Sequence, residues 1–140
     1  MKTLIVGESN PYSSDPRLAL YPVPKKGSGY NLCARIMGLE VREYLRRFDR
    51  TNLCASKWSA RLAETTAAII RASDRKIVVV CGARVAHAFG VPSDPFVAHQ
   101  HSANEPMLVV LPHPSGLCRV WNDPESYARA KSILAAHGVI

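Results

Sequence analysis

No stretch of this 140-residue chain approaches the ~18 consecutive apolar residues of a membrane span. The opening MKTLIVGESN holds too short an apolar run for a secretory signal. The sequence also lacks any C-x-x-C pair, since Cys33, Cys54, Cys81 and Cys118 stand singly and far apart. That excludes the usual zinc and iron–sulfur spacings, and without a secretory signal disulfides are not expected. All four read as reduced thiols, three of them buried as small hydrophobes. Acidic residues are scarce, with 11 Asp plus Glu against 18 Lys plus Arg, and the formal charge is +7. No internal repeat is visible. The expectation is a soluble, cytoplasmic protein.

What is present is ordinary in bulk and uneven in placement. Hydrophobic residues make up 47% and charged residues 21%, which excludes a disordered tail. The length fits one domain, residues 1–140. Arg35, Arg42, Arg46, Arg47 and Arg50 crowd one stretch, with Lys57 and Arg61 just beyond. Such a field attracts a phosphate backbone and makes binding salt-dependent. From charge alone, a solvated basic helix face is the plainer reading.

Apolar runs alternate with amphipathic segments. Thr3–Val6 is stopped by Gly7, Ile77–Cys81 by Gly82, and Met107–Leu111 by Pro112, with a shorter candidate at Arg50–Leu53. Runs without alternation suit strands buried on both faces, as in a parallel sheet. Between them Ser28 is placed to cap a helix over Tyr30–Met37, which Gly38 ends. Val41, Tyr44, Leu45 and Phe48 form one helical stripe, and Trp58–Ala72 and Ala83–Phe89 follow. Asp123 and Pro124 are a cap and first-turn pair opening a last helix to about His137. The order βααβαβαβα predicts an α/β sandwich, its central, mainly parallel four-stranded sheet flanked by helices.

Two stretches, Asn10–Gly27 and Pro92–Pro106, resist assignment, and loops this long are usually functional or disordered. Both are expected beside the carboxyl ends of strands, where open α/β sheets place their sites. His99 and His101 make an H-x-H pair without an obvious third ligand, so they read as loop histidines and no metal is expected. His87, on an Ala-rich helix, and His137, near a helix end, need no function.

The first strand runs into Gly7-Glu8-Ser9-Asn10-Pro11-Tyr12 and the last into His113-Pro114-Ser115-Gly116-Leu117. Placed after the first and last strands of a small α/β domain, these resemble the two active-site motifs of the uracil-DNA glycosylase superfamily. Gly27-Ser28-Gly29 followed by Leu32 is similar to the turn opening that family's first helix. Asn52 falls where the family carries a base-recognising Asn, and Val78–Gly82 with Gly90 beyond it matches the middle strand. The chain is shorter than most members, and its cysteines do not match the iron–sulfur branches.

The resemblance implies a monofunctional DNA glycosylase acting in base excision and DNA repair, on a uracil or modified base flipped out of the stack. Asn10 would orient the water, and an Asn where others carry Asp suggests a slower enzyme. His113 would donate to the pyrimidine O2 as charge builds, an oxyanion-hole role. The base-binding set would be Glu8, Tyr12 at the C5 edge, Tyr21 stacking on the face, and Asn52 reading O4 and N3–H with its two-sided amide. Leu117 would wedge into the vacated space. Ser9, Lys25, Lys26, Ser115, Gly116 and Arg119 would contact the DNA backbone. No cofactor is implied. The partner would be DNA, double- or single-stranded, and the protein a monomer.

Two other readings compete. Gly7-Glu8-Ser9-Asn10 superficially resembles the Gly-Asp-Ser block of the SGNH esterases, with Ser9 as nucleophile. Those enzymes need an Asp three residues before a C-terminal His, but Leu134 and Val110 hold those places before His137 and His113. The other is a catalytically weak or inactive nucleic-acid-binding module of the same fold. Within the glycosylase reading, a variant directed at C5-modified bases in phage defence is also open.

Overall fold

The computed structural model describes residues 1–140 and places every apolar run in one sheet. The strands are β1 (Thr3–Gly7), β2 (Phe48–Asn52), β3 (Ile77–Cys81), β4 (Val97–His99) and β5 (Met107–Leu111), in spatial order β2-β1-β3-β5-β4. β1, β2, β3 and β5 run parallel, and β4 pairs antiparallel along the outer edge of β5. The protein is therefore a single α/β domain on a five-stranded, mostly parallel sheet. The four-strand expectation missed β4, which lies inside the Pro92–Pro106 stretch assigned no element. Three half-exposed residues at a sheet edge carry no apolar run to announce them.

Successive side chains of a strand point to opposite faces, and here that alternation divides two cores. Leu4, Val6, Val78, Val80, Leu108 and Val110 face one side, beneath α3 (Ala60–Arg71) and α4 (Ala83–Ala88). Ile5, Val79, Cys81, Val109 and Leu111 face the other. That side is covered by α2 (Val41–Arg47), α5 (Pro124–Ala136) and a helical stretch begun by α1 (Ser28–Tyr30). No helix is long and apolar enough to cross a membrane.

Several helix boundaries differ from the sequence reading. Gly27, not Ser28, is the N-cap of α1, and it makes no side-chain cap bond. After Tyr30 the stretch widens into a π-helix over Asn31–Ile36, before Gly38 leaves it at φ +69°. Phe48 begins β2 instead of ending α2, because its ring is needed in the core beside Tyr44. Ser59 caps α3 by accepting from Leu62 N–H, which leaves Trp58 in the preceding loop. Asp123 caps α5 and Pro124 opens it, as the sequence predicts.

β1 and β3 lie side by side, yet the chain leaves β1 toward β2 on one side and returns to β3 on the other. That is a topological switch point, and open α/β sheets bind ligands in the crevice it leaves beyond the carboxyl ends of the strands. The Glu8–Gly27 loop, Asn52, Gly82 and His113 all emerge at this edge.

Candidate functional site

A cleft of about 540 Å³ opens at that edge, within the size range of ligand-binding pockets. Four strand ends contribute to it: Glu8 and Asn10 after β1, Asn52 at the end of β2, Cys81 of β3, and His113 after β5. Residues more than a hundred positions apart in sequence thus share one wall. Glu8 is the only carboxylate lining the cleft, and Lys26 the only cation.

His113 is held from three directions. Its Nδ1 accepts the Ser115 backbone N–H at 3.1 Å. With Nδ1 engaged as an acceptor, Nε2 is the ring position left to donate to a ligand. Its backbone carbonyl accepts from Trp121 Nε1 at 2.8 Å, and the next carbonyl, of Pro114, accepts from Asn31 Nδ2 at 3.1 Å. Ser115 Oγ in turn accepts the Leu117 N–H at 3.1 Å, so this serine shapes the loop first of all. Gly82, at φ +103°, makes room below: a Cβ there would stand 3.3 Å from His113 Cδ2 and 3.5 Å from Glu8 Oε1.

Asn10 sits in an Asx turn. Its Oδ1 accepts the Tyr12 N–H at 3.0 Å, and its own N–H donates to Ala55 O at 3.3 Å. The fixed carbonyl leaves the two Nδ2 hydrogens free for a ligand or water. Asn52 folds over Gly7, where a Cβ would come within 2.5 Å of its Oδ1. Only glycine lets that amide lie across the end of β1.

The long loop after β1 is tied down by residues read as helix face or core. Arg50 Nη1 donates to Ala19 O at 2.7 Å and Arg17 O at 3.1 Å, while its guanidinium lies 5.3 Å from the Tyr21 ring centroid. Tyr44 Oη donates to Leu20 O at 2.8 Å. Burial pushes the Tyr44 hydroxyl pKa upward, which keeps that donor protonated. Gly29 packs directly on the Leu20–Tyr21 backbone. Tyr21 is thereby fixed in the cleft wall.

Of the sequence-predicted site residues, Glu8, Ser9, Asn10, Tyr12, Tyr21, Lys26, Asn52, His113, Ser115 and Gly116 all line the cleft. Lys25, Leu117 and Arg119 do not; all three are exposed, and Leu117 is 93% so. Tyr12 departs from its expected role as a wall against the C5 edge. It lies at the rim, 95% exposed, with no packing behind the ring to hold it rigid. The Pro92–Pro106 stretch contributes nothing to the cleft, because β4 carries it along the far edge of the sheet.

Asn31, Trp121, Gly82 and Arg50 are supporting residues that the sequence reading did not single out for the site. Their partners are remote, 83 positions away for Asn31, and no local pattern marks such a pairing. The one available signal was Gly82, a glycine directly after a buried strand. Cys33, Cys54 and Cys81 are buried, Cys118 is half-exposed and all four are unpaired. No group of three or more His, Cys, Asp or Glu side chains is placed to hold a metal. In comparison with known proteins, no family model matches this chain and no curated protein matches it.

Proposed function

We propose that this chain is a DNA glycosylase of the uracil-DNA glycosylase type, hydrolysing the N-glycosidic bond of a uracil or modified base flipped into the cleft. The observation that carries the reading is the fixed ring of His113, its Nδ1 taken by the Ser115 N–H and its Nε2 left to donate, on a cleft shared with two amides. The breaking C1′–N bond leaves its electron pair on the base, and the charge spreads onto the base's carbonyl oxygens. A donor that needs no reorganisation stabilises that charge by about 2.7–4 kcal/mol.

Asn10 orients the attacking water through Nδ2, and as an amide it takes no proton from it. The water oxygen bonds to C1′ and its proton passes to solvent or to the departing base. Positive charge on the sugar needs a counterpart that Asn10 lacks. Glu8, the only carboxylate lining the cleft, supplies it in this reading. Asn52 reads the base edge with its donor and acceptor, and Tyr21 stacks on the face. The exposed Leu117 fills the gap left in the duplex, with Lys25, Lys26 and Arg119 on flanking phosphates.

The exposed Tyr12 favours a second form of this reading, in which the preferred base carries a substituent at C5. The test is single-turnover incubation with oligonucleotides bearing uracil, thymine, 5-hydroxymethyluracil or hypoxanthine, followed by alkaline cleavage of abasic sites. Abasic sites that vanish with His113→Ala support the proposal. Abasic sites from no substrate, with DNA binding intact, would make this an inactive binding module.

A further inference from the structure

A second group of chemistry-bearing side chains lies beside the cleft, on the loop after β2 and the start of α4. Trp58 is half-buried, packed against the core beneath α3 and α4, and the exposed guanidinium of Arg84 lies 5.7 Å from its ring centroid. Lys57 and Arg61 flank it, both exposed. None of these three cations makes an ion pair, whereas Arg17, Arg46, Arg47, Arg71 and Arg75 all do. Arg61 also stands in the first turn of α3, which holds no acidic residue, and a cation there opposes the helix dipole. Apart from the Arg84–Trp58 contact, the fold gives these cations no partner of opposite charge.

The group is tied to the cleft on two sides. The Asn10 N–H donates to Ala55 O, three residues before Trp58. Arg84 follows two residues after Gly82, where an added Cβ would stand 3.3 Å from His113 and 3.5 Å from Glu8.

We infer that Trp58, Arg84, Lys57 and Arg61 form a binding site for the nucleotide next to the one in the cleft, with its base on the Trp58 ring and its phosphates on the cations. The inference rests on the reading that DNA enters the cleft. Without DNA, the Arg84 guanidinium covers the indole, as such pairs do in ordinary surface packing. With DNA, a base takes its place on the ring and the freed guanidinium moves to a phosphate. The exchange favours the base, because stacking on an aromatic ring outweighs an exposed cation–π contact. It is insensitive to sequence, since every base has a stacking face.

The experiment uses a short, fluorophore-labelled, single-stranded oligothymidylate, with binding read by anisotropy and the Trp58 environment by intrinsic fluorescence. Trp121, the other tryptophan, is only 8% exposed but bonds the His113 carbonyl, so its own response is read separately in Trp58→Phe. The oligonucleotide should quench wild-type fluorescence saturably, and Trp58→Phe should remove most of the quench while keeping affinity within about twofold. Trp58→Ala should weaken binding by about 5- to 150-fold, the range of one stacked base. Arg84→Ala and Lys57→Ala should each lower the slope of log affinity against log salt by about 0.7. Binding by anisotropy with no quench, and with salt slopes unchanged in both cation variants, overturns the inference and leaves DNA binding standing. No binding at all overturns both. Arg84→Ala and Trp58→Phe keep the test valid if Trp58→Ala does not fold.

Discussion

At the scale of single residues, the site assigns different work to its polar side chains. On the proposed function His113 and Asn10 each supply one transition-state contact, so His113→Ala and Asn10→Ala should each lower the single-turnover rate by about 10²–10³ with the fold intact. Glu8→Gln keeps the shape of the side chain and removes its charge, and a rate unchanged from wild type would exclude it from stabilising the sugar. Cys81, at the cleft floor, has a different task. Burial pushes its thiol from the ordinary 9.0 up to about 12. The unfolded chain therefore ionises this thiol first, and the native state loses relative stability as pH rises from about 9 toward 12. Cys33 is shifted in the same direction by the same cause. Urea midpoints should fall across that window, and less steeply in Cys81→Ala. A flat profile in wild type would show that neither thiol is sealed from water.

At the scale of elements, legibility followed distance along the chain. β1, β3 and β5 were readable because continuous apolar runs such as IVVVC suit a strand buried on both faces, whereas the half-buried edge strand β2, FDRTN, was read only in part, at Arg50–Leu53. The Asp123–Pro124 helix start was readable because a cap and its proline are neighbours. Asn10 and His113 were readable as residues lining the cleft because each follows a strand, and Asn52 because it ends one. The π-helix over Asn31–Ile36 was not, since NLCARI has the pattern of any amphipathic helix. Nor were the anchors of the Asn10–Gly27 loop, because Arg50 and Tyr44 lie in β2 and α2 and look there like a solvated cation and a core aromatic. Gly29 tests how firmly that loop is bound. A methyl at residue 29 collides with the Leu20 and Tyr21 backbone, and backbone cannot swing aside as a side chain does. Gly29→Ala should cost about 1–3 kcal/mol in denaturant unfolding, the usual range for overpacking. It should also displace Tyr21 from the cleft. Wild-type stability would mean that the loop moves freely against α1.

At the scale of the whole molecule, the proposed function requires the parts of one edge to act together on a long, charged partner. The cleft, the exposed Leu117 beyond it, and Lys25, Lys26 and Arg119 around it lie at the carboxyl end of one parallel sheet. Much of the arginine-rich stretch lies elsewhere, with Arg46 and Arg47 paired to Glu43 on α2. Net charge alone is therefore a poor guide to the binding face. Leu117 is the decisive probe of that geometry. A large apolar side chain at 93% exposure adds nothing to the core, and the loop around it is held in shape by the Ser115 hydroxyl and the clamped His113 and Pro114 carbonyls. An apolar group presented by a fixed loop can enter the stack as a base leaves it, offsetting an unstacking cost of a few kcal/mol. A single strand has no partner strand to open and less stacking to lose. Leu117→Ala should therefore lower the rate on duplex substrates by about tenfold or more, and the rate on single strands by less than about threefold. Its thermal stability should match or exceed wild type, because the residue packs against nothing. Equal losses on both substrates would place Leu117 in maintaining the loop, and the unstacking role would then fall to another exposed residue at the mouth.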